Sequence, residues 1–126
     1  MKSITYTKNA PSPIGPYSQA VKAGNMLFLS GQIAIDPETN ELVEGNIEGE
    51  TERVMLNIKA LLAASGFSFG DIIKTSIFLS DMNHFTAVNS VYGSYFESDF
   101  PARETVAVLG LPKNVNVEIS VIAYKA

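Results

Sequence analysis

Apolar positions recur at about every second residue over the first third of the chain, then switch to a period near 3.6. Lys2 to Lys8 alternates weakly and reads as an edge strand. It runs into Pro11-Ser12-Pro13-Ile14-Gly15-Pro16, where the prolines exclude a helix. Tyr17 to Lys22 and Met26 to Ile35 then read as two strands of a hairpin, turned at Gly24-Asn25. Beyond the polar loop Asp36-Pro37-Glu38-Thr39-Asn40, the residues Val54, Ile58, Leu61 and Leu62 form one helical face. Glu48, Glu50 and Glu52 lie in or before the first turns of that helix, and Gly66 follows it as a terminator.

Alternation returns at Ile72 to Leu79, which predicts a strand with Ile73, Thr75, Ile77 and Leu79 on one face. A second helix is expected after a cap at Asp81 or Asn83, with Phe85, Val88, Tyr92 and Tyr95 on one side. Arg103 to Leu109 and Val115 to Tyr124 read as a closing hairpin around Leu111-Pro112-Lys113-Asn114. The predicted order is β-β-β-α-β-α-β-β, an α+β fold with both helices on one face of a mixed sheet. The other sheet face would be bare and apolar, which points to a homo-oligomer.

Composition narrows the picture. A chain of 126 residues, 46% hydrophobic, suits one domain over residues 1–126. A net charge of −4, with nine scattered Lys and Arg residues, disfavours nucleic acid as a partner. The absence of cysteine removes disulfides, thiolate metal sites and a thiol nucleophile. His84 is the only histidine, so no two-histidine metal site can form within one chain, and its own position suits an ordinary helix-end residue. No signal-like or membrane-spanning stretch stands out, so an intracellular, cytoplasmic protein is expected. Phosphate-binding, dinucleotide and zincin motifs are missing.

Candidate chemistry concentrates in the last two strands, where Arg103 and Glu118 each interrupt an apolar pattern. Arg103 shares a strand face with Thr105, and Glu118 shares one with Ser120. If those faces coincide across the expected hairpin, the arginine fork could hold a carboxylate while the glutamate exchanges protons with water. A structural ion pair between the two, or a solvated edge, fits the same spacing.

Five further segments match a known family in order and spacing. They are Pro13-Ile14-Gly15-Pro16-Tyr17-Ser18-Gln19-Ala20, Leu29-Ser30-Gly31-Gln32-Ile33, Phe100-Pro101-Ala102-Arg103, Leu111-Pro112-Lys113, and Val117-Glu118-Ile119 followed by Ile122-Ala123. Through them the chain resembles, end to end, the reactive intermediate and imine deaminase family of RidA (YjgF) proteins.

The resemblance implies a chorismate-mutase-like fold and a homotrimer with sites between subunits. It implies a cofactor-independent enzyme that hydrolyses 2-aminoacrylate-type enamines and imines to 2-keto acids and ammonia. Arg103 then corresponds to the carboxylate-binding residue and Glu118 to the glutamate beside the attacking water, with the backbone carbonyl of Thr105 helping to orient that water. Tyr17, Ser30, Gly31 and Asn89 match other site-lining positions, expected to reach the cleft from an adjacent subunit. Glu104, where relatives usually carry an uncharged residue, is harmless only if it faces away from Arg103. The alternatives are a non-catalytic module that binds small carboxylates and a translation-inhibiting endoribonuclease; the charge and lone histidine oppose the second.

Overall fold

Strand pairing in the computed structural model, which describes residues 1–126, begins where alternation begins. Strand β1 (Lys2–Thr5) pairs antiparallel with β2 (Ala20–Ala23), and β2 with β3 (Met26–Leu29). Gly24 closes the turn between β2 and β3 at φ 60°, a left-handed conformation open to a residue without a Cβ. The third strand stops short of the expected Ile35. The chain turns aside at Ser30-Gly31 and keeps only an isolated bridge from Gln32 to Ile119, then forms a separate two-residue ribbon, β4 (Ile35–Asp36) with β5 (Glu41–Leu42).

Helix α1 (Ile47–Ala64) starts at Asn46, whose side chain accepts the Gly49 N–H at 2.8 Å. Glu48 and Glu50 occupy its first turn, where the helix dipole favours negative charge. Glu50 also anchors the helix to the last strand, β8 (Val117–Tyr124): its carboxylate accepts the N–H groups of Asn116 at 2.8 Å and Val117 at 3.2 Å. The predicted face of Val54, Ile58, Leu61 and Leu62 is buried.

In β6 (Ile72–Leu79) a bulge between Ile72 and Lys74 corrects the expected face. Ile72, not Ile73, joins the core, because the extra residue at the bulge shifts the side-chain parity. Asp81 caps a short 3₁₀ turn, Met82–His84, and α2 (Phe85–Gly93) follows directly. The helix ends before Tyr95, and Tyr95 and Phe96 fold back against Phe69. No helix is long and apolar enough to cross a membrane.

The expected closing hairpin does not form. The six-stranded sheet runs β1-β2-β3-β8-β6-β7, so β6 separates β8 from β7 (Ala102–Ala107). β7 is parallel to β6, as a crossover through α2 demands, and β8 returns antiparallel on the other side of β6. Lys113 and Asn114 take left-handed conformations at φ 55° and 56° in the connection, steering the chain away from a tight turn. Apart from the β4/β5 ribbon, the element order is the predicted one.

Both helices cover one face of this mixed sheet. Leu27 pairs with Ala123, Ile77 with Ile119 and Leu79 with Val117, and all six join α1 and α2 in one core cluster. The opposite face carries the alternate positions, where Phe28, Val106 and Tyr124 remain 44%, 43% and 45% exposed. The chain itself supplies no second layer for this face.

Candidate active site

Arg103 sits on β7 in register with Thr75, a fully buried core-face residue, so it projects on the helix-bearing side of the sheet. Its guanidinium carbon lies 5.2 Å from the ring centroid of Tyr92 and 5.7 Å from that of Phe85. It has no carboxylate partner: the one salt bridge joins Lys74 Nζ to Glu104 Oε1 at 3.0 Å. Glu104 pairs in register with Ser76, on the opposite face from Arg103. Hydrogen bonds from the Ser76 hydroxyl and Lys74 hold its carboxyl below the usual value, so it does not compete for the guanidinium. Asn89, Tyr92, Phe100 and Arg103 line a cavity of about 340 Å³.

Thr105 follows on the same face of β7. Val108 donates its N–H to Leu79 at 2.8 Å, which sets the backbone phase: Val106 also addresses β6, while Arg103 and Thr105 turn their N–H and C=O groups to the sheet's free edge. The Thr105 carbonyl is therefore open on that edge. Its hydroxyl is buried without a partner. Thr105→Val, which removes the orphan with little change in shape, is expected to raise stability by up to about 1 kcal/mol. Thermal unfolding of the two proteins tests this, and a clear loss would show that the hydroxyl is engaged.

Glu118 lies on β8 in register with Phe78, between buried Val117 and Ile119, and so faces the uncovered side. It shares a cavity of about 310 Å³ with Tyr17, Ser30, Gly31, Ile14 and Ile33. The break in β3 makes room for it: a Cβ on Gly31 would fall 1.9 Å from Glu118 Oε2. The Ser30 hydroxyl donates to the Ser18 carbonyl at 2.6 Å. The Tyr17 phenol accepts the Ile14 N–H at 3.3 Å, leaving its own proton free for a ligand.

Burial pushes the Glu118 carboxyl above the usual carboxylate value. Folding therefore favours its protonated form, so this stabilisation is present below the unfolded pKa and fades as pH rises through the folded one. Glu118→Gln is accordingly expected to unfold at a higher temperature than the parent at pH 7, with the gap closing toward pH 4. A gap independent of pH would contradict the raised value.

Two buried amides that sequence reasoning passed over hold the cavity walls. Gln19 donates to the carbonyls of Thr7 and Pro11, each at 2.9 Å, and accepts the Thr7 N–H at 2.8 Å, pinning the proline-rich loop. Asn57 donates to the carbonyls of Ile33 and Ile35 at 3.2 and 3.0 Å while accepting from Arg53. The available signal was a polar residue within the apolar face of α1.

The predicted residues thus fall into two groups. Arg103 and Asn89 share the cavity beside α2, with Thr105 on the same sheet face; Tyr17, Ser30, Gly31 and Glu118 gather on the other side of the sheet. Arg103 and Glu118 do not meet across a hairpin, because β6 intervenes and their side chains have opposite parity. Asn89 belongs with Arg103, not with the Tyr17 group as expected.

Comparison with known proteins completes the site's setting. Residues 7–125 match the sequence model of the family described as endoribonuclease L-PSP. A RutC family protein of Pyrococcus horikoshii is 55% identical over 125 residues, spanning 99% of each chain. A 2-iminobutanoate/2-iminopropanoate deaminase of Dermatophagoides farinae is 50% identical over 121 residues, covering 96% of this chain and 94% of the relative. The crystal structure of RidA from the Antarctic bacterium Psychrobacter sp. superposes with a TM-score of 0.94 at 42% identity, covering 98% of this chain and 99% of that one. Fold, motifs and near-complete coverage agree, and the chain belongs to the endoribonuclease L-PSP family, which includes the RidA proteins.

Proposed function

We propose that this protein is a cofactor-independent deaminase of 2-imino acids and their enamine tautomers, working as a homotrimer with each site shared between two subunits. The observation that carries this reading is the division of chemistry within one chain. A guanidinium free of carboxylates lies on one side of the sheet, and a carboxyl without an ion-pair partner lies on the other. Each half lacks what the other holds. Packing the uncovered sheet face and the free edge of β7 against a second copy would bring the Arg103 half of one subunit to the Glu118 half of its neighbour.

The chemistry follows from that arrangement. Arg103 takes the substrate carboxylate in its planar fork, which leaves the C=N carbon toward the facing subunit. Glu118 and the Thr105 carbonyl hold a water against that carbon. Water adds to the protonated imine and loses a proton to Glu118, giving a neutral carbinolamine. Glu118, whose raised affinity for protons suits it to donate near neutrality, then passes its proton to the departing nitrogen. The C–N bond breaks as the carbinolamine hydroxyl gives its proton to Glu118, ammonia leaves and carries that proton off as ammonium, and a 2-oxo acid remains. The Tyr17 phenol, which accepts the Ile14 N–H and keeps its own proton, supports a further hydrogen bond to substrate.

The family description also names a ribonuclease. The net charge of −4 and the single histidine oppose phosphodiester cleavage, and neither cavity is lined by a cluster of cations.

The decisive assay generates an imino acid in situ with an amino-acid oxidase or a dehydratase and follows the keto acid and ammonia. Acceleration over spontaneous hydrolysis is expected, and its absence would leave a carboxylate-binding module as the better reading.

A further inference from the structure

We propose that Phe85 and Tyr92 form an aromatic clamp that pre-sets the Arg103 guanidinium for carboxylate capture, which makes both positioning residues for substrate affinity. The inference rests on the reading of Arg103 as the carboxylate anchor and names what holds that anchor in place.

Both ring centroids lie within the range of about 6 Å at which an aromatic face attracts a cation, at 5.2 Å for Tyr92 and 5.7 Å for Phe85. The two residues stand about two turns apart on α2, so the helix presents both rings along one side. Tyr92 is itself fixed. Its hydroxyl donates to Thr75 Oγ1 at 2.9 Å, and Thr75 is the register partner of Arg103 on the neighbouring strand. The ring is thus tied to the very position beside the arginine's own backbone. Phe96 packs against Tyr92 with centroids 4.9 Å apart, and Tyr92 is only 4% exposed, so the ring has no room to swing away.

The choice of rings over acids has a chemical consequence. A carboxylate partner would hold the guanidinium equally still, but it would consume the in-plane N–H donors and neutralise the charge. Aromatic rings engage the cation through their π-systems and leave its donors unpaired. An unclamped arginine would have to be immobilised by the substrate itself, at the expense of binding. The clamp removes that requirement from the binding step.

The test titrates 2-oxobutanoate and its methyl ester by calorimetry into the parent protein, Phe85→Leu, Tyr92→Leu, Tyr92→Phe and Arg103→Ala. Steady-state kinetics on an imino acid generated in situ run alongside. The leucine variants are expected to bind the keto acid about tenfold more weakly and to raise KM by a similar factor. Their kcat should change less, and their affinity for the ester should stay at the parent's value. Tyr92→Phe keeps the ring and should lose less than Tyr92→Leu. Because Tyr92 is buried and its leucine variant can fail to fold, the half-buried Phe85 carries the test, with assembly size and circular dichroism as controls.

Equal weakening for acid and ester would mark a merely structural role and overturn the clamp. Parent-like keto-acid affinity in Phe85→Leu, alongside a loss in Arg103→Ala, would overturn it too. Retained keto-acid affinity in Arg103→Ala would instead overturn the carboxylate-anchor reading on which the clamp depends.

Discussion

Arg103→Ala is expected to lower kcat/KM for a 2-imino acid by about a hundredfold or more, the loss typical of removing a charged, bidentate partner from an anion. The fold should survive, because Arg103 is only partly buried and makes no salt bridge within the chain. Arg103→Lys should recover part of the loss, since the charge returns without the fork. Subunit mixing extends the experiment. If the site draws Arg103 and Glu118 from different subunits, inactive Arg103→Ala and Glu118→Gln chains refolded together should regain roughly a quarter of parental activity, as each mixed trimer rebuilds one intact site. Strict additivity of two inactive proteins would place both residues in the same subunit's site and defeat the shared arrangement.

The second large effect is expected at Gly31, where any β-carbon collides with Glu118. A Cβ would lie 1.9 Å from Oε2 and 2.8 Å from the carboxyl carbon, so the whole carboxylate must swing out of the cavity. Gly31→Ala should therefore lower kcat by about a hundredfold or more, the range expected when a general acid-base group is lost, with little change in unfolding temperature. The displaced group is an end of a flexible side chain with solvent available, which keeps the structural cost small. Combining Gly31→Ala with Glu118→Gln should cost no more than either alone, because both remove the same function. Fully additive losses would show that Gly31 acts independently of Glu118, for instance through its own backbone.

How far the residue pattern reaches is clearest in the last strands. Parity within a strand was legible: Arg103 shares a face with Thr105, and Glu118 stands between buried Val117 and Ile119. Parity between strands was not. It depends on which strand lies between them, and a short polar connection at Leu111–Asn114 suits a hairpin as well as a return across β6. The bulge at Ile72 is opaque for a similar reason, since two adjacent isoleucines give no sign of which one faces the core. Helix α1 was the reverse case, with its apolar face, acidic first turn and glycine stop all local signals that tertiary packing left intact. Of the site, the charged residues announced themselves by interrupting apolar strands. Asn57 and Gln19 did not, because their role is defined by backbone carbonyls far away in sequence.

The free edge of β7 has a cost beyond catalysis. It offers unpaired N–H and C=O groups at Arg103 and Thr105, next to exposed Val106, and such an edge is a template for runaway strand stacking between chains. Pro101 just before the strand and the charges of Arg103 and Glu104 within it act as gatekeepers against that fate. If Arg103 recruits substrate as proposed, the same guanidinium also guards this strand edge against such stacking. Selection for solubility alone would favour a charge at this edge, even in a descendant that had lost every trace of enzymatic work.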